Sequence, residues 1–184
     1  GHDRLDGGTG RDTLMGGAGN DTYVVDAAAD EVYEDAFGGR DTVISSVSWS
    51  ILIHQHLEDV VLTRSGASNA TGNTAGNRLT GNRFDNVLDG REGIDTLTGG
   101  DGDDTYVVDH RRDVVRETGT SLEVGGVDTI RSWIGYSLTW VANVENLTLA
   151  GALPVAAYGN AGNNRIQGNA GNNLLGGRGG IDRV

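Results

Sequence analysis

Aspartate residues recur directly behind short glycine-rich turns, and two such segments are almost identical. Residues 16–26 read GGAGNDTYVVD and residues 99–109 read GGDGDDTYVVD, which agree at nine of eleven positions. In each segment a carboxylate lies beside a turn that leaves backbone carbonyls without partners. Carboxylate and carbonyl oxygens suit Ca²⁺ better than Mg²⁺, which demands strict octahedral geometry, or Zn²⁺, which prefers nitrogen and sulfur. The residue types therefore indicate a cation-binding chain.

The composition narrows the function classes further. The 184 residues carry a formal net charge of −12, include 31 glycines and contain no cysteine. Such a charge repels phosphate backbones and anionic membranes, so we expect no nucleic-acid partner. No apolar run approaches the roughly 18 residues of a membrane span, and no signal peptide opens the chain. Because the chain opens in the middle of a repeat, we expect it to be a fragment of a longer protein.

The repeat has a period of nine. Residues 7–15 read GGTGRDTLM, residues 16–24 read GGAGNDTYV, and the same frame returns from Gly72 and from Gly159, giving the consensus GGxGxDxUx, in which U is large and apolar. The first six positions favour tight turns, and the last three favour a short strand with one inward side chain. Two nines then make one coil, stacked about 4.8 Å from the next. The pattern predicts an all-β parallel solenoid.

The apolar eighth positions predict a thin core with one inward side chain per nine. The three tryptophans, Trp49, Trp133 and Trp140, are also expected in the core, which we favour over a carbohydrate-stacking role. His54 and His56 would share a face on a strand, but they lack a third metal ligand. The inward positions are Leu5, Leu14, Tyr23, Leu79, Leu88, Leu97, Tyr106, Ile166, Leu175 and Val184.

A longer unit is also duplicated. Residues 41–63 match residues 128–150 at an offset of 87, so the chain reads as two copies of an 83- to 87-residue unit and the start of a third. We expect residues 1–184 to form one elongated solenoid. Its nonapeptide blocks are predicted at 1–33, 72–116 and 159–184, and longer coils of the same solenoid at 34–71 and 117–158.

The nonapeptides resemble the RTX, or haemolysin-type, calcium-binding repeat of bacterial secreted proteins. This resemblance implies a right-handed parallel β-roll, or β-helix, in which several Ca²⁺ ions lie between turns that are two nonapeptides apart. One turn would supply the carbonyls of positions two and four with the aspartate of position six. The next would supply the carbonyls of positions one and three with its own aspartate. The implied ligands are Gly1, Asp3, Gly8, Gly10, Asp12, Gly16, Ala18, Asp21, Val25, Ala27, Asp30, Arg91, Gly93, Asp95, Gly99, Asp101, Asp104, Val108, His110, Asp113, Gly177, Gly179 and Asp182.

Some turns depart from this pattern. Position six is asparagine at Asn77, Asn86 and Asn164, which offers an oxygen without a charge. We expect these to be weaker metal sites, or turns in which an amide ladder replaces the ion. Phe84 stands where the family has glycine, which puts that turn's site in doubt.

These features together predict a calcium-dependent folding module. Ordering each residue costs roughly 1–2 kcal/mol of backbone entropy, and a thin core does not offset that, so ion binding would supply the folding free energy. The resemblance implies secretion or cell-surface display by a bacterium through a type I channel, with calcium as the partner. The alternatives are an adhesive scaffold that self-associates through its solenoid ends, and a set of metal-free Asx turns. Nothing in these residues favours an enzyme.

Overall fold

The computed structural model describes residues 1–63, 66–118 and 126–184, and it is an all-β solenoid of short parallel strands. It has about nine turns, consistent with a β-roll. One 3₁₀ helix spans Leu138–Trp140. None of the described residues forms a helix long and apolar enough to cross a membrane. The strands are β1 (Arg4–Asp6), β2 (Thr13–Met15), β3 (Thr22–Val25), β4 (Glu31–Tyr33), β5 (Thr42–Ser45), β6 (Trp49–Ser50), β7 (Asp59–Leu62), β8 (Ala70–Thr71), β9 (Arg78–Thr80), β10 (Val87–Asp89), β11 (Thr96–Thr98), β12 (Thr105–Val108), β13 (Val114–Arg116), β14 (Thr129–Ser132), β15 (Tyr136–Ser137), β16 (Asn146–Leu149), β17 (Ala156–Tyr158), β18 (Arg165–Gln167) and β19 (Leu174–Gly176).

Successive strands alternate between two faces of the coil. The odd-numbered strands from β1 to β13 form one seven-stranded sheet, and the even-numbered strands from β6 to β18 form the other. Two shorter sheets hold the remaining strands, β2 with β4 and β15 with β17 and β19. All the pairs are parallel, which matches the prediction from the period of nine.

The register shows where the coils change length. In the nonapeptide blocks Leu5 pairs with Tyr23, and Leu88 pairs with Tyr106, so each partner lies two nonapeptides further along. Between the blocks the spacing varies. On the paths from β3 to β5 and from β12 to β14 the coil is longer than two nonapeptides, whereas on the path from β5 to β7 it is shorter. The strands nevertheless remain paired in register across these changes.

The core is thicker than one apolar side chain per nine residues. The three-residue nonapeptide strands bury at most their middle residue, such as Leu97. The four-residue strands bury two positions, for example Val60 and Leu62 on β7 and Leu147 and Leu149 on β16. The core therefore exceeds the predicted one apolar side chain per nine, because the last residue of the four-residue strands adds a second buried apolar position on β3, β7, β12 and β16.

Some expected core residues lie at the surface. Trp49 is buried, but Trp133 is 47% exposed and Trp140 is 93% exposed, so the prediction was wrong for those two. Trp133 follows the inward Ser132 at the end of β14, and Trp140 ends the 3₁₀ helix whose inward residue is Leu138.

Several other expected positions also differ. Val184 is 62% exposed, and Leu5 and Leu175 are only partly buried. These three lie in the first and last coils, which have only one described coil beside them. His54 and His56 lie in the turn after β6 rather than on a strand.

Leu88 tests the contribution of one inward position. It is fully buried between Ala70 and Tyr106, whereas Val87 on the same strand is 40% exposed. We expect Leu88→Ala to lower the free energy of unfolding by about 2–5 kcal/mol, because it leaves a cavity in the core. Urea unfolding in saturating Ca²⁺ measures this, and Val87→Ala is the matched control. Equal losses for the two variants would contradict the inward assignment.

Candidate metal-binding columns

Two columns of acidic and amide side chains run along the solenoid, one for each set of turns. Each member lies directly before a strand, because the turn ends at position six. The first column precedes the odd-numbered strands β1 to β13 and consists of Asp3, Asp21, Asp41, Glu58, Asn77, Asp95 and Asp113. The second column lies in the turns before the even-numbered strands and beyond β19, and consists of Asp12, Asp30, Asn86, Asp104, Asp128, Glu145, Asn164 and Asp182.

Backbone hydrogen bonds hold each column in register. The backbone N–H of Asp3 donates to Oδ1 of Asp21 over 2.7 Å, and that of Asp21 donates to Oδ1 of Asp41 over 2.7 Å. In the second column the N–H of Asp104 donates to Oδ1 of Asp128 over 2.8 Å. One carboxylate oxygen thus joins two coils, and the second oxygen is left for another partner.

Five of these second oxygens are buried and have no hydrogen-bond partner among the described residues. Buried polar atoms are nearly always hydrogen-bonded, and an isolated charge in a dry site is very costly. A cation bound at these oxygens would remove that cost, so an all-oxygen calcium site fits the residues present. The atoms are Oδ2 of Asp12, Asp21, Asp41, Asp95 and Asp104.

The glycine at position one lies against the carboxylate at position six. A Cβ atom on Gly7 would lie 2.8 Å from Oδ2 of Asp12, and one on Gly90 would overlap Oδ2 of Asp95. At position two, Arg91 adopts a φ of 64°, close to the 69° of Gly8. In these glycine-rich turns position one therefore requires glycine for space, and position two adopts a left-handed backbone at Gly8 and Arg91.

The nonapeptide blocks match a known family. Four copies of the model for the RTX calcium-binding nonapeptide repeat match residues 1–32, 71–107 and 157–184, which is more than half of the chain. The chain belongs to this family. A search of curated proteins and a search of solved structures gave no match. The family assignment makes the chain a calcium-binding repeat protein, and the columns lie at the ends of its repeat turns.

The aspartates of the RTX turns differ in whether both carboxylate oxygens have hydrogen-bond partners. In glycine-rich turns such as that of Asp12, the aspartate keeps one oxygen without a hydrogen-bond partner. In the glycine-poor turns, both oxygens of Asp30 and Asp113 already accept backbone N–H groups: Oδ2 of Asp30 binds Ala27, and Oδ2 of Asp113 binds His110.

The glycine-poor turns also use predicted carbonyl ligands internally. The carbonyls of Ala27 and His110 accept the N–H of Asp30 and Asp113 over 3.1 and 3.0 Å. These two turns therefore resemble self-contained Asx turns. The ligand roles of Val25, Ala27, Val108 and His110 stay predictions.

The asparagine turns satisfy their backbone carbonyls with amide groups. The side-chain amide of Asn73, at position two, donates to the carbonyls of His54 and Leu57 in the preceding coil, both over 2.8 Å. Its oxygen accepts the N–H of Ala75, and its own N–H donates to Oδ1 of Asn77 over 2.8 Å. The amide thus lies between two turns and satisfies two backbone carbonyls without a cation.

The same arrangement occurs in four turns. Asparagine at position two accompanies asparagine at position six in each of them, a pairing that the sequence analysis did not use. At Asn77, Asn86 and Asn164, the weaker metal candidates, the side-chain oxygen accepts a backbone N–H from position two. The four pairs are Asn73 with Asn77, Asn82 with Asn86, Asn160 with Asn164, and Asn169 with Asn173.

At each of two further places, three carboxylates lie close together, and the nonapeptide period predicted neither cluster. Ligand atoms of Asp21, Glu34 and Asp41 lie within 4.8 Å of one another. The equivalent residues of the second unit are brought together in the same way. These are Asp104, Glu117 and Asp128.

Burial shifts the acid–base behaviour of the columns. Burial, with a smaller effect of neighbouring carboxylates, raises the pKa of Asp95 and Asp104 to about 7 and that of Asp128 to about 8. Burial also raises the pKa of Asp41. In each case the backbone N–H bond from the preceding coil opposes the shift. Without a cation, Asp95, Asp104 and Asp128 take up protons near neutral pH.

The raised pKa values predict opposite pH trends with and without Ca²⁺. In chelator, the folded chain holds protons that the unfolded chain loses above about pH 4, so stability should fall as the pH rises toward 8. With Ca²⁺, which binds the ionised carboxylates, stability should rise over the same range. The folded fraction from circular dichroism at pH 5, 6, 7 and 8, in chelator and at a Ca²⁺ concentration near the folding midpoint, measures this. Parallel trends would contradict the prediction.

The amide turns predict a loss of stability without a loss of ions. Asn73→Ala removes the amide that donates to the carbonyls of His54 and Leu57, at a cost of about 1–3 kcal/mol. We expect the unfolding free energy in Ca²⁺ to fall by that amount, and the calcium stoichiometry from calorimetry to stay unchanged. Thr74→Ala is the control, because the hydroxyl of Thr74 makes an exposed bond to Gln55. A lower stoichiometry for Asn73→Ala would place an ion in this turn.

Proposed function

We propose that this RTX module is disordered in low calcium and folds when Ca²⁺ binds outside the cell. The observation that carries the proposal is the set of buried aspartate oxygens without hydrogen-bond partners, at Asp12, Asp21, Asp41, Asp95 and Asp104. Ionised carboxylates stacked on adjacent coils repel one another, and the repulsion grows in a low-dielectric interior. The net charge of −12 adds to this self-repulsion. A bound cation converts the repulsion into attraction, so binding free energy becomes folding free energy.

The calcium concentration inside and outside the cell would then decide whether the chain is folded. Extracellular calcium modules bind with dissociation constants of about 10⁻⁴ to 10⁻³ M. The chain would stay unfolded at the much lower calcium concentration inside a cell and fold after export. This behaviour suits bacterial type I secretion, which passes unfolded chains, and it gives the module a supporting role in a larger secreted protein. The role is structural rather than catalytic.

The nonapeptide blocks and the longer coils would contribute to the stability of the folded module in different ways. We propose that the blocks at 1–33, 72–116 and 159–184 hold most of the ions. The coils at 34–71 and 117–158 would supply the thicker apolar core, since residues such as Ile51 and Leu138 are fully buried there. The calcium sites and the core would therefore depend on each other for stability.

Circular dichroism during a calcium titration of the full chain tests the proposal. In chelator we expect a spectrum of disordered backbone, and in millimolar Ca²⁺ a β-rich spectrum with several bound ions counted by calorimetry. Mg²⁺ at the same concentration should not substitute, because it gives up its water shell reluctantly. A β-rich spectrum in chelator that Ca²⁺ leaves unchanged would overturn the proposal.

A further inference from the structure

The two carboxylate clusters combine a repeat residue with residues of the coils between blocks. Asp21 and Asp104 lie inside the matched RTX repeats, whereas Glu34, Asp41, Glu117 and Asp128 lie outside them. Within each cluster the two aspartates are buried and the glutamate is partly buried. Each cluster therefore has one more carboxylate than a pair of stacked RTX turns provides.

A tyrosine hydroxyl fixes the glutamate in each cluster. The hydroxyl of Tyr23 donates to Oε2 of Glu34, and that of Tyr106 donates to Oε2 of Glu117 over 2.5 Å. Both tyrosine side chains are fully buried, so their hydroxyls cannot move freely. The hydrogen bond holds one glutamate oxygen and orients the carboxylate toward the aspartates, as an outer partner orients a metal ligand.

The unpartnered aspartate oxygens point into the same space. Oδ2 of Asp21, of Asp41 and of Asp104 is buried without a hydrogen-bond partner in the described residues, and each of these aspartates is at most 1% exposed. A Cβ on Gly99 would overlap Oδ2 of Asp104 and the hydroxyl of Tyr106, and would lie 2.9 Å from Oε2 of Glu117. Gly16 has the same relation to Asp21 and Tyr23. The oxygens thus converge above a glycine that leaves room for them.

No basic side chain among the described residues balances the charge of the first cluster. Among the described residues, no arginine or histidine forms an ion pair with Asp21, Glu34 or Asp41. Arg40, the neighbour of Asp41 in sequence, instead binds Asp59 through its guanidinium group. Three carboxylates without a protein counter-charge are a strong attraction for a hard cation.

The two clusters form from segments of different length. Asp41 follows Glu34 by seven positions and Asp128 follows Glu117 by eleven, yet the ligand atoms meet within the same 4.8 Å in both places. The strand pairs restore the arrangement, because β5 and β14 each begin directly after the second aspartate. The recurrence of the cluster despite the longer segment argues that it is a built site.

We propose that each cluster is a calcium site of a second type, in which a glutamate from outside the repeat adds a third carboxylate to two column aspartates. The assignment rests on the proposed function and extends it. Ligand charge sets calcium affinity in proteins, so these two sites fill before those between ordinary RTX turns. Each joins a nonapeptide block to the coil that follows it, so the first ions bound order the junctions between blocks and longer coils.

Calcium titration calorimetry of the full chain and of the double variant Glu34→Gln with Glu117→Gln tests this. We expect the two tightest sites to weaken by at least about tenfold, and the weaker sites to keep their affinity. The control is Glu92→Gln, which removes the same charge from an exposed position in an RTX turn and should leave every site unchanged. A double variant with the wild-type isotherm would overturn the second site type and leave the calcium-folding proposal intact.

A second double variant tests the proposal even if the glutamate variant fails to fold. Tyr23→Phe with Tyr106→Phe keeps all charges and removes only the hydroxyls that hold the glutamates. We expect the same two sites to weaken by about 10- to 100-fold, with a β-rich spectrum at saturating Ca²⁺. Unchanged affinity in the tyrosine variant would also overturn the proposal. A wild-type chain that binds no Ca²⁺ would instead overturn the proposed function itself.

Discussion

The stacking of position-six side chains, coil upon coil, is the interaction on which this solenoid depends. Each stacked carboxylate receives the backbone N–H of the coil before it, as Asp21 does from Asp3, so the hydrogen bond that sets the register also brings acids together. This contact has two opposing effects on the free energy of folding. The hydrogen bond is favourable, while the accumulated charge in a dry column is not. An uncharged amide or a cation must resolve that conflict at every level of the stack.

The chain uses both solutions, and they alternate along its length. The turns around Asn73 and Asn160 insert a neutral side-chain amide that donates to two carbonyls of the preceding coil. The turns around Asp21 and Asp104 keep buried oxygens for an ion. An amide has a fixed position in the sequence and needs no ligand, so the asparagine turns stabilise the stack at any calcium concentration. Under the proposed function, the aspartate turns make the rest of the stability conditional on calcium, and their spacing along the columns would decide which parts of the fold respond to it.

The sequence predicted the regular parts of this structure well. The period of nine predicted the parallel pairing of every second nonapeptide, and the apolar eighth positions predicted buried residues such as Leu79 and Leu97. It failed where coil length changes, because a fixed period cannot place residues after an insertion. Glu34 and Asp41 therefore went unnoticed as neighbours of Asp21. The core prediction failed for Trp133 and Trp140 for another reason. The 87-residue offset places the polar Ser46 opposite Trp133, and it places Ile53, which is 82% exposed, opposite Trp140. A search for asparagine at positions two and six would have found the amide turns.

Coil length in this fold is decoupled from strand register. The coil that joins β12 to β14 is longer than its counterpart from β3 to β5, since Thr105 pairs with Thr129 whereas Thr22 pairs with Thr42. Both coils nevertheless end in the same four-residue pairing. The additional residues between β12 and β14 leave the parallel pairing of these two strands in register. An insertion inside a strand would instead move every following side chain to the opposite face. Natural variation in such a chain should therefore accumulate in these turns, where new surface can evolve without disturbing the core or the ion columns.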